Sequence, residues 1–208
     1  DATPGEMPGP TTVWAVDGNA TLTPSTPVTL TYTNNTGLTF KRQFPVDDHY
    51  MFTVSDTVQN TGGTPLSLSP YGRVMRFDKP LHASTYVLHE GLIGVTGEEG
   101  LQEIKYSKIE EKREVKPGTS TDGWLGITDK YWAVTVVPRG GTPFQPAFSF
   151  FDDGRPRYQA SFLDQAVQVA PGQSATAETL VFAGAKEVHR INAYEKDRGI
   201  RQFELLID

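Results

Sequence analysis

Apolar and polar residues alternate along most of this chain, and alternation of that kind predicts half-buried β-strands. A clear example covers residues 26–34, in which valine, leucine and tyrosine alternate with threonines. The polar run at 34–37 supplies a turn and residues 38–44 alternate again, so this region predicts a β-hairpin. The longest alternation covers residues 49–60 and predicts a long strand with one polar face.

The remaining alternating segments predict a fold built almost entirely of strands. Further strands are predicted at 12–16, 19–23, 65–78, 145–151, 157–163, 165–170 and 174–183. Two segments are less regular. Residues 79–100 contain four spaced glycines and predict a long surface excursion, whereas residues 101–116 mix charges of both signs and predict a solvated ribbon. No helical periodicity is present before residue 185.

One stretch, residues 122–138, holds two of the three tryptophans and predicts two strands joined by a turn at 128–130. In the second strand, Trp132 and the valines at alternate positions after it would point to one face. Both faces of that strand are apolar apart from Thr135, so we expect it to be covered on both sides. The stretch is therefore interpreted as core, with no catalytic role.

The end of the chain changes character, because residues 185–197 carry apolar side chains at helical spacing. Val188, Ile191 and Tyr194 form one stripe, and Gly199 is a natural C-terminal cap. The apolar side chains that follow include Phe203 and Leu206. We expect this helix to pack on an edge or seam of the β domain, and the natural chain to continue beyond the apolar ending.

Length and composition fit one large all-β domain. The chain has 208 residues with 20 glycines and 15 prolines, so turns should be frequent. Residues 1–11 predict a flexible lead-in, residues 12–184 the β domain, and residues 185–208 the helix and its approach to a following segment. Because the first residue is Asp1, we expect this chain to be a portion of a longer protein.

Charge and cysteine content exclude several functional classes. The net charge is −6 without a dense lysine or arginine cluster, which argues against nucleic acid and anionic membrane surfaces as partners. The chain has no cysteine, so disulfides, cysteine-ligated zinc and cysteine nucleophiles are excluded. No apolar stretch approaches the roughly 18–20 residues that span a bilayer.

Candidate chemistry is sparse. The four histidines, His49, His82, His89 and His189, show no metal-ligand spacing, and no Gly-x-Ser-x-Gly motif is present. Adjacent carboxylates such as those at 152–153 would point to opposite faces of a strand and could not act together on one substrate. The sequence therefore predicts no catalytic residue, no metal site and no cofactor.

The order of five segments resembles a known family. They are residues 26–44, 50–68, 123–138, 167–187 and 198–208. In this order they resemble the large periplasmic domain of the YidC membrane protein insertases of Gram-negative bacteria. The most specific pieces are the run from Gly123-Trp124 to Tyr131-Trp132 and the closing residues 203–208.

The resemblance implies an all-β fold, a β-supersandwich of two large antiparallel sheets similar to galactose mutarotase, with a C-terminal α-helix. It also implies a non-catalytic domain at the periplasmic face of the inner membrane, in an insertase and chaperone that inserts and folds inner-membrane proteins alone or with the Sec translocon. Sec components and nascent inner-membrane proteins would be the partners, and we expect the domain to be monomeric. In the family, the ending leads into a transmembrane segment.

The resemblance also suggests roles for nine residues. Residues expected to serve packing in the family's signature are Trp124, Gly126, Tyr131 and Trp132. Residues expected to pack or couple the C-terminal helix are Val188, Ile191, Tyr194, Phe203 and Leu206. An exposed sheet edge would then add a strand from a partner, because main-chain hydrogen bonds give affinity without catalysis.

Two alternatives stay open at this point. A carbohydrate-binding or aldose-epimerase-like domain is suggested by fold analogy, with Tyr71, Tyr86 and Tyr106 as aromatics able to stack on a sugar. Mutarotase chemistry would need a histidine acid and a carboxylate base facing one cleft, and the histidines here form no such pattern. The other alternative is an apolar groove that holds unfolded chains, which the sequence does not locate.

Overall fold

The computed structural model describes residues 7–81 and 88–207. These residues form fifteen strands, two α-helices and a short 3-10 helix. The strands are β1 (Ala15–Val16), β2 (Val28–Thr33), β3 (Leu38–Phe44), β4 (Met51–Asn60), β5 (Leu66–Leu68), β6 (Tyr71–Phe77), β7 (Gly91–Thr96), β8 (Gly100–Lys105), β9 (Glu114–Val115), β10 (Gly123–Thr128), β11 (Trp132–Pro138), β12 (Phe144–Phe151), β13 (Arg157–Asp164), β14 (Val167–Val169) and β15 (Ser174–Ala185). The helices are α1 (Tyr106–Lys112), α2 (Val188–Arg198) and the 3-10 helix Phe203–Leu206.

The chain divides into two compact units. The first contains Asp1–Pro70 and Ala166–Leu180, and the second contains Tyr71–Gln165 and Val181–Asp208. Strand β15 therefore begins in the first unit and ends in the second. Each unit is built on antiparallel strands, as the alternating sequence predicts.

In the first unit the strand order is β1-β2-β3-β4, followed by the first part of β15, and β14 pairs with β5. The predicted hairpin is confirmed, because β2 pairs with β3 in register from Val28 opposite Phe44 to Thr33 opposite Thr39. Its turn is fixed by Asn34, whose side-chain oxygen accepts hydrogen bonds from the amides of Thr36 and Leu38, both at 2.9 Å.

The second unit contains two sheets. In one, the last part of β15 is followed by β11, β10, β7 and β8, and the other has the order β6-β13-β12-β9. Side chains from both sheets meet in one apolar core. Its members include Leu92, Leu125, Ile127 and Val136 from the first sheet and Val74, Phe148, Tyr158 and Phe162 from the second. Two sheets that pack their inner faces together in this way form a β-sandwich.

The predicted surface excursion at 79–100 is wrong in its second half, where β7 lies. All six residues of β7 are buried, and the strand pairs with β10 on one side and β8 on the other. A central strand covered on both faces does not alternate, so the period of two is absent from it. A Cβ on Gly94 would lie 3.0 Å from the carbonyl oxygen of Trp124, so glycine at this position reflects close packing and not a loop.

The solvated ribbon predicted at 101–116 is also wrong. The segment forms β8, α1 and β9, and it contributes Tyr106 and Ile109 to the core. These two residues are three apart and so share one face of α1, while Lys108, Glu111 and Lys112 are exposed. Helix α1 has seven residues, or about two helical turns. The prediction of no helix before residue 185 fails here because so short a helix gives little periodic signal.

The predicted C-terminal helix is confirmed as α2. It ends at Gly199, which adopts the left-handed conformation with φ of 64° expected of a glycine cap. Ile191 and Tyr194 are buried, as the apolar stripe predicts. The chain then turns and forms the 3-10 helix, in which Phe203 and Leu206 are buried.

Candidate functional site

The C-terminal segment is held by Trp124, a fully buried residue of β10. Its indole Nε1 donates a hydrogen bond of 2.9 Å to the carbonyl oxygen of Arg201. Its ring meets the ring of Phe203 edge to face, with the ring centroids 5.4 Å apart. A buried tryptophan whose N–H has a partner contributes both apolar burial and a satisfied donor. We call Trp124, Phe182, Tyr194, Arg201 and Phe203 the C-terminal anchor.

The aromatic members of the anchor contact one another in sequence. Phe182 of β15 meets Tyr194 of α2 at 6.1 Å and Phe203 at 5.7 Å, both nearly perpendicular. Each pair of this geometry adds about 0.5–1.5 kcal/mol beyond the area it buries. Both helical pieces are therefore packed against the same sheet and are part of the folded unit.

Polar contacts fix the segment between the two helical pieces. The Nη1 atom of Arg201 donates to the carbonyl oxygen of Gly97 at 3.0 Å and to a carboxylate oxygen of Asp122 at 3.1 Å. The amide of Glu204 donates to a carboxylate oxygen of Glu195 at 2.9 Å. The Arg201 bonds set the position of the last residues relative to β7 and β10, and the Glu204 bond joins the two helical pieces.

The structure buries four of the five residues expected to pack or couple the helix, namely Ile191, Tyr194, Phe203 and Leu206. Val188 is 49% exposed, because it is the first residue of α2 and lies at the outer end of the stripe. The burial fits a packing role for the four residues. Their role in coupling stays a prediction.

The surroundings of Trp124 and Gly126 fit the packing role expected of the four signature residues. Trp124 is buried in the anchor, and Gly126 permits close contact of neighbouring strands, since a Cβ there would lie 2.1 Å from the carbonyl oxygen of Val134. The packing role is wrong for Tyr131 and Trp132, which are 65% and 61% exposed.

The packing prediction fails for Trp132 because the opposing sheet does not cover the start of β11. Trp132 shares a face with Val134 and Val136, as predicted from the alternation, and Val136 is buried in the core. Strand β6 is the edge strand of the opposing sheet, and the start of β11 lines a groove beside it. Trp132 and Val134 are consequently left exposed on an inner face.

A groove of about 330 Å³ occupies this place, between β6 and the β10–β11 hairpin. We call it the β6 groove. It is lined by Val74, Met75, Arg76, Phe77, Ile127, Asp129, Trp132, Ala133 and Val134. Side chains alternate across a strand, so a groove that touches four consecutive residues of β6 runs along the edge of the strand and not over one face.

An ion pair links the two walls of the β6 groove. The Nη1 atom of Arg76 lies 2.5 Å from a carboxylate oxygen of Asp129, and both side chains are largely shielded from solvent. The hydroxyl of Tyr106 donates to the other carboxylate oxygen of Asp129 at 2.7 Å. Burial, reinforced by this bond, raises the pKa of Tyr106, which therefore stays a protonated donor at neutral pH. The hairpin end is thus fastened to β6.

A second tyrosine–carboxylate pair supports the first. The Tyr158 hydroxyl donates to Glu110 at 2.5 Å, and Lys79 Nζ lies 2.9 Å from the same carboxylate. Burial and then Glu110 raise the pKa of Tyr158. Burial alone would raise the pKa of Glu110, but the bonds from Tyr158 and Lys79 outweigh it and lower that pKa. The rings of Tyr106 and Tyr158 meet at 4.7 Å, which joins the two pairs.

Two lysines lie near the hairpin turn, outside the lining of the groove. The backbone amide of Lys130 donates to a Glu90 carboxylate oxygen at 3.1 Å. The side-chain ammonium of Lys130 lies 5.1 Å from the ring centre of Tyr131. Lys186 Nζ donates to the hydroxyl of Thr128 at 3.1 Å. Burial lowers the pKa of Lys186, against the opposing effect of the nearby Asp129 carboxylate.

The aromatics considered for sugar stacking do not line a cleft together. Tyr106 is buried, and Tyr71 is 65% exposed on β6 outside the groove lining. Tyr86 and His82 lie outside the described residues. His89 is buried with its Nε2 atom 2.8 Å from the carbonyl oxygen of Leu92, and burial lowers its pKa.

The described ranges 7–81 and 88–207 contain no cluster of three or more histidine and acidic side chains able to hold a metal ion. None of the helices in these ranges is both long enough and apolar enough to cross a membrane.

Sequence reasoning missed Arg76 and Asp129, the paired residues that shape the groove. A signal for Arg76 was present, because it shares the inward register of Val74 on β6 and a charge in that register needs a partner. Asp129 lies in a polar turn, where an aspartate is ordinary. Its role depends on a residue 53 positions earlier in the chain and left no local pattern.

Comparison with known proteins decides the family. The model of the YidC periplasmic domain matches residues 1–208, the whole chain. The chain belongs to this family. The family was recognised in the sequence from five ordered segments, and that prediction is confirmed.

Full-length relatives agree. The membrane protein insertase YidC of Mesorhizobium japonicum is 68% identical over 204 residues, which cover 98% of this chain and 34% of the relative. The protein of the same name from Rhizobium meliloti is 59% identical over 208 residues, covering 100% of this chain and 35% of the relative. The chain thus spans about a third of the length of the curated relatives that it matches.

Solved structures confirm the fold. The Slr1438 protein from Synechocystis superposes with a TM-score of 0.53 at 12% identity, covering 83% of this chain and 66% of that one. A candidate aldose 1-epimerase from Escherichia coli K12 gives a TM-score of 0.51 at 11% identity, covering 83% and 68%. The predicted all-β supersandwich with a C-terminal helix is confirmed. At these identities the likeness concerns the fold alone.

Proposed function

We propose that this chain is the periplasmic part of an insertase that inserts and helps fold inner-membrane proteins, alone or with the Sec translocon. The domain would lie at the periplasmic face of the bacterial inner membrane and act by protein contacts, without catalysis. Membership of the YidC periplasmic domain family and relatives named membrane protein insertase support this proposal. Nascent inner-membrane proteins and Sec components are its proposed partners.

The observation that carries the proposal is the C-terminal anchor. Trp124 and Arg201 tie the residues after α2 to β10 and β7, so these residues are not a loose tail. The family resemblance implies that a membrane segment follows this ending. An anchored ending would then hold the β domain in a fixed orientation to the membrane part, and partners bound to the domain would be held near that part.

The polar groups of the β6 groove support a non-catalytic role. Arg76, Asp129 and Tyr106 satisfy one another, and the raised pKa of Tyr106 makes it a poor base at neutral pH. General acid–base work needs a group that titrates near the working pH and faces the substrate. Among the described residues that line the groove, none is a histidine.

The experiment tests coupling in the full-length insertase that carries this domain. Arg201→Ala removes the bonds to Gly97 and Asp122 while leaving the buried rings in place, so the domain should stay folded and its ending should loosen. Arg198→Ala, on the exposed end of α2, is the matched control. Insertion of an inner-membrane protein into liposomes would be followed by protease protection, with and without the Sec translocon.

We expect Arg201→Ala to reduce insertion in at least one of the two settings and Arg198→Ala to leave it unchanged. A stronger variant, Ile191→Glu, places a charge in a fully buried position and should cost more than about 4 kcal/mol of domain stability. If insertion proceeds at the normal rate when the domain is unfolded by Ile191→Glu, the coupling proposal is wrong.

A further inference from the structure

Strand β6 has an open edge. Within the described part of the chain, its only neighbour in the sheet is β13. The register pairs Phe77 with Arg157, and the amide of Asp78 donates to the carbonyl oxygen of Pro156 at 2.9 Å. An unpaired row of main-chain groups is a template for another strand.

The register shows which groups of β6 face this open edge. Hydrogen-bonded and non-bonded pairs alternate along an antiparallel ladder. Because Asp78 belongs to the bonded set, Arg76 and Val74 belong to it as well and direct their main-chain groups toward β13. The N–H and C=O groups of Met75 and Phe77 therefore point away from β13, toward the β6 groove.

The opposite wall of the groove offers apolar surface at strand spacing. Trp132 is 61% exposed and Val134 is 38% exposed, and both project from β11 on the same face. Ile127 and Ala133, which also line the groove, are buried. A strand lying against β6 would direct every second side chain onto this wall and the others to water.

The charges of the groove indicate what kind of segment fits. Arg76 and Asp129 are the charged residues among those lining it, and they neutralise each other across 2.5 Å. An additional charged side chain would lose its hydration in the groove and find no unpaired opposite charge among the lining residues. An uncharged apolar side chain would not incur this cost. The opposite edge of the same sheet is formed by β9, whose two residues are too short to template a strand.

We propose that the β6 groove binds an extended polypeptide segment, which adds to the edge of β6 through the main chain of Met75 and Phe77 and places uncharged apolar side chains against Trp132 and Val134. This rests on the proposed function, since it names the edge and the class of partner for a domain that acts by protein contacts. The mode is β-strand addition, in which main-chain bonds give affinity and alternate side chains give selectivity.

The test uses this chain labelled for NMR and a soluble nonapeptide of alternating valine and threonine with a lysine at each end. We expect saturable shifts at the amides of Met75 and Phe77 and at the indole N–H of Trp132, and slower hydrogen exchange at the two amides. The matched ligand control is the same peptide with alternate amides N-methylated, which cannot form the ladder. It should not bind.

Two protein variants locate the site. Trp132→Ala should weaken the affinity for the peptide about tenfold, because an aromatic anchor at the centre of an interface carries much of the affinity. Leu163→Ala, 53% exposed on β13 and outside the groove, should leave the affinity unchanged. Met75→Pro removes an outward N–H but no bond to β13, and it should abolish binding in a folded domain.

Three results would overturn the proposal: no saturable binding, equal binding of the N-methylated peptide, or displacement of the peptide by a hexose. The N-methylated control uses unaltered protein, so the test stands even if Met75→Pro fails to fold. Failure here would leave the insertion effect of Arg201→Ala untouched, and loss of that effect would leave peptide binding untouched. The two proposals can therefore fail separately.

Discussion

Trp124 and Trp132 lie in one hairpin, eight residues apart, and have opposite environments. Trp124 is fully buried with its N–H bonded to Arg201, whereas Trp132 is 61% exposed on the wall of a groove. Both follow the same alternating pattern of apolar residues. The difference teaches that alternation assigns a side chain to a face, while the extent of the layer packed on that face decides whether the side chain is covered.

The two ends of the hairpin are also held by different forces. At the Trp124 end, rings of Phe182 and Phe203 pack edge to face and exclude water. At the other end, an ion pair between Arg76 and Asp129 fastens the turn to β6. Apolar packing holds the first end and an ion pair holds the second. Substitutions at the two ends should therefore differ in how much they lower the free energy of unfolding.

The largest expected effect is at the buried end. Trp124→Ala removes a fully buried ring and leaves a cavity, so the free energy of unfolding should fall by about 3–5 kcal/mol. Trp132→Ala, the matched substitution in the same hairpin, should change it by no more than about 0.5 kcal/mol. Urea unfolding of both variants measures the difference. Similar losses in the two variants would remove the distinction between the ends.

Gly126→Ala tests the close approach of β10 and β11 between the two ends. A Cβ there would lie 2.1 Å from the carbonyl oxygen of Val134, so the strands must separate and the unfolding free energy should drop by about 1–3 kcal/mol. Gly140→Ala is the control, because a Cβ there meets nothing within 4 Å. A Gly126→Ala protein as stable as the control would contradict the observed packing.

A smaller loss is expected from Asp129→Asn at the groove end. The change leaves the Arg76 guanidinium without a charged partner and weakens the acceptor for Tyr106, which should cost about 1–2 kcal/mol. Asp153→Asn breaks an exposed pair with Arg157 and should cost less than about 1 kcal/mol. Thermal melts at low and high salt compare the two. Equal costs would show that the groove pair adds nothing to a surface pair.

The smallest expected effect appears only at alkaline pH. Folding raises the pKa of Tyr106 above its unfolded value of about 10, so the folded state retains the proton longer than the unfolded state. The associated stability is complete below pH of about 10 and is lost as the pH rises beyond it. Tyr106→Phe should flatten this loss relative to the unaltered chain. The test measures urea midpoints of both proteins between neutral and strongly alkaline pH. If the midpoints fall with pH at the same rate in both, the hydrogen bond assigned between Tyr106 and Asp129 is contradicted.

Local patterns were sufficient to predict much of this fold. The β2–β3 hairpin and helix α2 follow from alternation, turn residues and a glycine cap, which are properties of neighbouring residues. Strand β7 was missed because a strand buried on both faces has no period of two. Helix α1 was missed because a helix of seven residues is too short to show a recognisable helical period.

The candidate site was less predictable, for reasons that are equally physical. The residues of the anchor after α2 are apolar, so their burial was expected, but the bond from Trp124 to Arg201 joins residues 77 positions apart. The β6 groove exists because one sheet ends before the other does, and no single segment encodes that offset. Arg76 and Asp129 meet only once both sheets are in place.

The central claim is that one end of the hairpin serves stability and the other serves recognition. Its most direct test measures the unfolding free energy and the affinity for the valine–threonine nonapeptide in Trp124→Phe and Trp132→Ala. Trp124→Phe should lose stability by about 1–2 kcal/mol, since the bond to Arg201 is removed, and should bind the peptide normally. Trp132→Ala should keep its stability and bind about tenfold more weakly. Retained binding by Trp132→Ala, or parallel losses of both properties in both variants, would contradict the account.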